Sequence, residues 1–372
     1  MTYSDGNGKA GAEKNLFFLA FTEAGFALAE RLAAAAGGCA FRSRESGGVQ
    51  AWTAAHFSRA DALVFVGAAG IAVRAIAPFV KSKAADPAVV VIDEGGQFVI
   101  PILSGHLGGA NKLARRLAAV CGGTPVLTTA TDVNGRFAVD EWAKRQNCAV
   151  RNPGRIQRVS SGILAGETMT IQSRWPVRGE APAFVRPVYG CRPSAGLQGE
   201  ADGQQAEGEP CHPDVLVDIF QTPGTDPEPL RLIPRIAVLG IGCRKGTEET
   251  QIENCWRQFQ AEYRIAEEAV CLVTSIDLKK EEAGLTGFCE THDLPFATFT
   301  AEELRKADGD FSSSAFVESV TGVDNVCERS AVCGTAAPAG QAGGGRLWIP
   351  KKKYDGVTMA LAVRAYHPDW NW

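Results

Sequence analysis

The spacing of hydrophobic positions changes period along the chain. From Asn15 onward, short apolar runs at 16–21, 62–66, 88–93, 98–103 and 125–129 predict strands, and between them 24–36, 71–79, 109–121 and 138–146 carry the wider spacing of amphipathic helices. In 109–121, Ala110, Leu113, Ala114, Leu117, Ala118 and Cys121 share one face, while Arg115 and Arg116 point away. The run Val89-Val90-Val91-Ile92 is of the kind buried on both faces of a parallel sheet, so helices must cover both sides. Across 150–232 the rhythm is lost, and short β-like pieces such as 169–172 stand among prolines and glycines. It restarts at Pro234 with a strand at 236–240, a tight glycine-rich turn at 240–246, and a helix from Thr247 whose apolar stripe is Ile252, Cys255, Trp256 and Phe259. Further strands are expected at 271–276, 295–299 and 347–350, and helices at 280–291 and 357–365.

This pattern predicts an α/β protein with two βα-rich domains of mainly parallel sheets, residues 15–149 and 234–372, joined by a smaller irregular middle region, 150–233. Residues 1–14 are polar and glycine-rich and read as a disordered tail. Segment 193–213 has almost no large apolar side chains to offset its ordering entropy, and is expected to be a mobile insertion.

Composition narrows the function. A hydrophobic fraction of 45% with 22% charged residues suits a globular enzyme, and a net charge of −4 lacks the basic footprint of a nucleic-acid binder. The eleven cysteines are scattered with no Cys-x-x-Cys, so they read as reduced thiols. The histidines His56, His106, His212, His292 and His367 lie far apart, so no resident metal site is expected and any metal should arrive with a ligand. No apolar run reaches the roughly 18 residues of a membrane span, and the N-terminus lacks a signal-peptide core, which points to the cytoplasm.

Chemistry is most concentrated at Ser104-Gly105-His106-Leu107-Gly108-Gly109-Ala110-Asn111, where a strand gives way to a helix. Ligands bind beyond strand carboxyl ends in open α/β sheets, and a helix N-terminus offers N–H groups to anions. Ser104, Gly105, Gly108, Gly109 and Asn111 are therefore candidate binding residues, and His106 a candidate for proton transfer. If the sheet is parallel, Glu94 in Asp93-Glu94-Gly95-Gly96 and Thr129 and Asp132 in 128–134 gather on the same rim, where Glu94 or Asp132 could orient His106. Structural roles are open to the same residues: His106 as a cap, Asp132 or Asn134 as a helix cap, and Asp93 and Glu94 as a hairpin turn into Phe98. Gly67 and Gly70 form a further turn of this type, where tight packing of helix on strand is the stronger interpretation.

In the second domain, Gly240-Ile241-Gly242-Cys243-Arg244-Lys245-Gly246-Thr247 fits neither phosphate-loop fingerprint: Lys245 stands where a third glycine should be, and it precedes the glycine of a Walker loop. What remains is an anion-ready turn with Gly242, Arg244 and Lys245. Cys243 could be a nucleophile there, though a buried small residue is commoner. Ser275, Lys279, Glu328 and Lys351 add a hydroxyl, a carboxylate and cations to the candidate set.

Together the blocks 65–74, 93–96, 103–111, 128–132, 240–247 and 274–280 resemble the cobalt-precorrin-5A hydrolase family of anaerobic cobalamin biosynthesis, in the same order along the chain. The resemblance covers 62–146 and 234–367 and leaves the middle poorly matched. It implies a carbon–carbon hydrolase: water opens the ring A δ-lactone of cobalt-precorrin-5A, and the former bridging carbon leaves with its methyl as acetaldehyde, giving cobalt-precorrin-5B. It also implies a cobalt-corrinoid substrate that carries its own cobalt, no separate cofactor, and neighbouring cobalamin-pathway enzymes as candidate partners. No catalytic assignment comes with it. From the residues alone, His106 could activate water or approach the substrate cobalt as an axial ligand, with backbone N–H groups at Gly108 and Gly109 meeting an oxyanion. Arg244, Lys245 and Lys351 could hold substrate carboxylates, in a cleft expected between the two domains. The same surface would also suit a non-catalytic tetrapyrrole-binding helper, and the glycine turns leave a nucleotide-dependent enzyme as a third class.

Overall fold

Strands β1 (Leu16–Ala20), β2 (Cys39–Arg42), β3 (Ala62–Val66) and β4 (Ala88–Ile92) run parallel, followed by β5 (Phe98–Leu103) and β6 (Thr124–Pro125), in a six-stranded sheet of order β2-β1-β3-β4-β5-β6. The computed structural model describes residues 15–82, 85–106, 108–190, 212–221, 228–336 and 344–372, so the expected tail at 1–14 and nearly all of the insertion at 193–213 lie outside the described residues. Helices α1 (Glu23–Ala36), α2 (Gly48–His56), α3 (Ala69–Ile76) and α4 (Ala110–Cys121) flank the sheet, with α5 (Ala130–Val133) and α6 (Val139–Arg145) after β6. Alternate strand residues bury on opposite sides. Phe18, Val64 and Val90 pack with Leu32 of α1 and Leu117 of α4, whereas Leu63, Phe65, Val89 and Val91 pack with Trp52 of α2 and Ile76 of α3. Each such side chain contributes on the order of 1.5–3 kcal/mol, so burial on both faces holds these strands central.

One strand departs from the expected direction. β5 pairs antiparallel with β4, Ile92 opposite Val99 and Val89 opposite Leu103, through a hairpin in which Asp93 accepts from the N–H groups of Gly95 and Phe98. β6 then runs parallel to β5. It is shorter than the expected 125–129 strand, its pairing with β5 running from the Thr124 N–H on the Gln97 carbonyl to the Val126 N–H on the Val99 carbonyl.

The chain divides into two compact units after Glu141. In the second, the middle region is a sheet rather than irregular: β7 (Cys148–Val150), β8 (Met169–Ser173), β9 (Val185–Tyr189), β10 (Val215–Val217) and β11 (Leu230–Pro234), in order β7-β11-β10-β8-β9, with α7 (Ile156–Leu164). Only β7 is antiparallel to its neighbour among these described strands. The last sheet has order β14-β13-β12-β16-β15, built from β12 (Ala237–Cys243), β13 (Val270–Ile276), β14 (Phe296–Phe299), β15 (Arg346–Lys353) and β16 (Val357–Val363), with helices α8 (Glu249–Tyr263), α9 (Ala283–Thr291), α10 (Ala301–Arg305), α11 (Ala315–Thr321) and α12 (Cys327–Cys333). Both sheets share one core, in which Ile219, Phe220 and Ile233 join Trp256, Phe259 and Leu361.

The helix expected at 357–365 is strand β16, antiparallel to β12 from Ala237 opposite Val363 to Cys243 opposite Val357. Its alanine, leucine and methionine favour a helix locally, but ladder pairing and two-sided burial override that preference. Met359 and Leu361 enter the core, while Ala360 and Ala362 alternate with them along the strand and are also buried. On β12, a Cβ on Gly240 would lie 1.9 Å from the Cys327 carbonyl oxygen, so this glycine serves the close packing of α12 on the strand. The tight turn expected at 240–246 therefore starts later, at Arg244. No helix among the described residues is long and apolar enough to cross a membrane.

Candidate functional site

The reversed direction of β5 decides which candidates meet. Its carboxyl end, with Ser104 to Gly109 beyond it, lies at the sheet edge opposite the carboxyl ends of β3 and β4. Glu94, Gly67 and Gly70 are therefore at the far edge from His106. Glu94 instead accepts from the Thr22 hydroxyl, Gly67 packs under the Phe21 ring, and Gly70 lies in the first turn of α3. The supposed common rim depended on a fully parallel sheet. β6 runs with β5, so Asp132 reaches His106 and Thr129 reaches Asn111.

The turn is tightly built. Ser104 has φ +54 and Gly109, which caps α4, has φ +87. A Cβ on Gly108 would lie 2.3 Å from the Ser104 Cβ, and one on Gly105 would lie 2.8 Å from Asn111 Oδ1. The N–H groups of Ala110 and Asn111 donate to the carbonyls of Ser104 and Gly105, so the turn itself uses these first amides of α4. The Ser104 hydroxyl is buried with no partner among the described residues.

Carboxylates, not an anion pocket, face this turn. His106 Nδ1 lies 3.1 Å from Asp140 Oδ2, and Nε2 lies 2.9 Å from Asp132 Oδ2 and 3.9 Å from Glu141 Oε1. The Thr131 hydroxyl is 3.4 Å from Nε2. Asn111 Nδ2 donates to Asp132 Oδ2 at 2.8 Å and to Thr129 Oγ1 at 3.1 Å, and Arg115 donates to Asp132 Oδ1. The His106 side chain is 11% exposed and that of Asp132 8%, so these charges interact with little solvent screening.

Burial opposes charging His106, but hydrogen bonding and charge from Asp140, then Asp132 and Glu141, outweigh it and raise the ring to about 9. Near neutral pH the ring is an imidazolium donating from both nitrogens. Burial would raise Asp132, yet its hydrogen bonds from His106 and Arg115 hold it below its ordinary value. Glu141 is raised, because burial exceeds the pull of the His106 charge. Asp140, Glu141 and Arg115 were not among the residues singled out from sequence. The adjacent acids in the first turn of α6 are the available signal, but helix-dipole stabilisation explains such a pair equally well. One ligand atom each from His106, Asp132 and Glu141 falls within 4.8 Å of the others, a grouping that could hold a metal ion.

The second unit's candidates do not form a comparable cluster. Ser275 is fully buried and donates to the Ile241 carbonyl at 2.7 Å. Glu328 is buried and accepts from the N–H groups of Ser312 and Lys351 and from the Asn325 amide. Neither presents an atom to a ligand. Lys279 pairs with Glu282 at 2.8 Å, and Glu282 also accepts from the Gly246 N–H, tying down the turn after β12. Gly242 lies in β12, where a Cβ would meet the Thr358 hydroxyl at 2.6 Å. Burial pushes the Cys243 thiol up despite Lys279, which disfavours the thiolate a nucleophile needs. Arg244 and Lys245 are exposed, and Lys351 is half-buried.

Fold and site define an α/β protein with a histidine–carboxylate centre at a strand-to-helix turn, a grouping suited to proton transfer or cation binding. Residues 51–132 match the Cobalamin synthesis G N-terminal domain and 237–362 the Cobalamin synthesis G C-terminus. The chain is 34% identical over 363 residues to the cobalt-precorrin-5A hydrolase of Salmonella typhimurium, covering 94% of this chain and 98% of that one. It is 29% identical to the cobalt-precorrin-5A hydrolase of Priestia megaterium, over 86% of this chain and 83% of that one. A solved cobalamin biosynthesis protein G homolog from Sulfolobus solfataricus shares 19% identity at a TM-score of 0.39, over 95% of this chain and 98% of that one. The chain belongs to the cobalt-precorrin-5A hydrolase family.

Proposed function

We propose that this protein is a cytoplasmic cobalt-precorrin-5A hydrolase and that the His106 cluster performs the chemistry. Water adds to the lactone carbonyl and the acyl–oxygen bond breaks. The released alkoxide on the former bridging carbon collapses to an aldehyde, the carbon–carbon bond breaks, and its electron pair passes to the macrocycle, which takes up a proton. The cobalt of the reaction belongs to the substrate.

The observation that carries the assignment is the clamp on His106, held through Nδ1 by Asp140 and through Nε2 by Asp132. A ring that donates from both nitrogens is not itself a base. Proton removal from water then falls to the carboxylates on the Nε2 side, and Glu141 is held less closely to the ring than Asp132, at 3.9 Å against 2.9 Å. The imidazolium supplies positive charge as the carbonyl oxygen becomes an oxyanion. The same clamp disfavours axial ligation of substrate cobalt by His106, because the macrocycle would have to displace the Asp132 carboxylate that lies 2.9 Å from Nε2.

Anaerobic incubation of purified protein with cobalt-precorrin-5A, with acetaldehyde trapped as it forms, tests the function. Stoichiometric acetaldehyde from wild type and its loss in His106→Ala and Glu141→Gln are expected. Tight binding of the corrinoid with no aldehyde would instead identify a helper that hands the intermediate on.

A further inference from the structure

We propose that His106 Nε2, with one carboxylate oxygen each from Asp132 and Glu141, forms a binding site for one hard divalent cation of the Mn²⁺ type, its shell completed by water. This differs from the expectation that any metal arrives only with a ligand. It builds on the hydrolase assignment for its purpose, but the binding stands independently of it.

The spacing is suitable. Ligands about 2.0–2.2 Å from a common ion lie roughly 3 Å or more apart, and here Nε2 is 2.9 Å from the Asp132 oxygen and 3.9 Å from the Glu141 oxygen. All three ligand atoms lie within 4.8 Å of one another. The outer partners that orient metal ligands are also present. Asp140 accepts from Nδ1 at 3.1 Å, which turns Nε2 toward the ion, and Asn111 and Arg115 fix the Asp132 carboxylate.

Charge favours the same conclusion. Asp132, Asp140 and Glu141 all lie within 4 Å of the His106 ring, and half-exposed Arg115 pairs with Asp132, so an ion beside Nε2 would meet a concentration of carboxylate oxygens. The Ser104 hydroxyl, buried without a partner in the same turn, is a separate sign of unfinished polar contacts there. One imidazole with carboxylates and no thiolate selects Mn²⁺-like ions over soft ones. Such an ion would polarise the lactone carbonyl or lower the pKa of a bound water, supplying the charge the reaction requires near Nε2.

The test uses full-length protein stripped with chelator, without substrate, titrated with Mn²⁺ while the six-line electron paramagnetic resonance signal of free Mn²⁺ is followed. One site per chain is expected. Glu141→Gln and Asp132→Asn should each weaken it by at least about tenfold, and Asp140→Asn by about tenfold through Nδ1. Bound Mn²⁺ should broaden the His106 ring resonances and leave those of His292 sharp. Matching metal-free melting temperatures confirm that the variants fold, and Glu141→Gln, which replaces one oxygen by an amide nitrogen, remains informative if His106→Ala does not. No site tighter than about 1 mM, or wild-type affinity in folded Glu141→Gln and Asp132→Asn, overturns the inference. Acetaldehyde release separates the two proposals. Turnover by metal-stripped protein that binds no Mn²⁺ removes only the cation site, whereas Mn²⁺ binding by the wild type together with full turnover in His106→Ala removes only the hydrolytic role of the cluster.

Discussion

Asp140 accepts from His106 Nδ1 at 3.1 Å across 34 residues of sequence, bringing the first turn of α6 to the turn after β5. The contact fixes both the ring's orientation and its charge. Asp140→Asn keeps a hydrogen-bonding group but removes the negative charge. We expect kcat to fall by roughly 10²-fold with little change in KM, and the His106 titration to move down from about 9, as followed by its ring resonances in NMR.

The turn itself gives a second prediction. Gly108→Ala places a Cβ 2.3 Å from the Ser104 Cβ and 2.7 Å from its carbonyl oxygen. The backbone has to move, at a cost of about 1–3 kcal/mol, and His106 moves with it. Gly70→Ala is the control, because its Cβ meets only Arg74 at an ordinary 3.6 Å within a helix. Thermal denaturation should show a lower melting temperature for the first variant and an unchanged or slightly raised one for the second.

How much of this was legible in the sequence depended on whether a signal had one physical explanation or two. Helix α4 was legible because Leu113, Leu117 and their neighbours recur at helical spacing beside exposed arginines, and β4 because its run is buried on both faces. Strand β16 was not, since Met359, Leu361 and the alanines favour helix until the ladder with β12 is known. The direction of β5 could have been derived. Only residues 93–97 separate it from β4, and a parallel crossover needs a dozen or more. That step would have moved Glu94 away from His106. Asp140 and Glu141 stayed hidden because acids at a helix start satisfy the dipole without any ligand.

The edge assignment makes Glu94 and Asp132 separable in activity. Glu94 is exposed and touches Thr22, so Glu94→Gln should leave turnover within about twofold of wild type. Asp132 is contacted by His106, Asn111 and Arg115, and Asp132→Asn should lower acetaldehyde release by on the order of 10²-fold. Equal losses in the two variants would contradict their placement on opposite sheet edges.

A second histidine, distant in sequence from the site, gives stability a pH dependence. His292, just past α9, has Nδ1 2.6 Å from Glu267 Oε1 and Nε2 2.7 Å from Glu253 Oε2, while Arg257 also donates to Glu253. Burial lowers the ring's pKa, but the hydrogen bonds to Glu253 and then Glu267 outweigh it, so the folded value is raised above 6.5. A raised folded pKa gives stability that is complete below the unfolded value and lost as pH rises through the folded one. Glu253 behaves oppositely. Burial raises it, but His292 and Arg257 hold it below 4.5, so its contribution is present above that value and declines as pH falls. The two effects overlap between about pH 4.5 and 6.5. His292→Gln should therefore lower the melting temperature most in that window, and the gap from wild type should close as pH rises past the folded His292 value. A gap that stays constant from pH 5 to pH 10 would mean that packing against Phe288, whose ring centroid is 4.5 Å away, accounts for the whole effect.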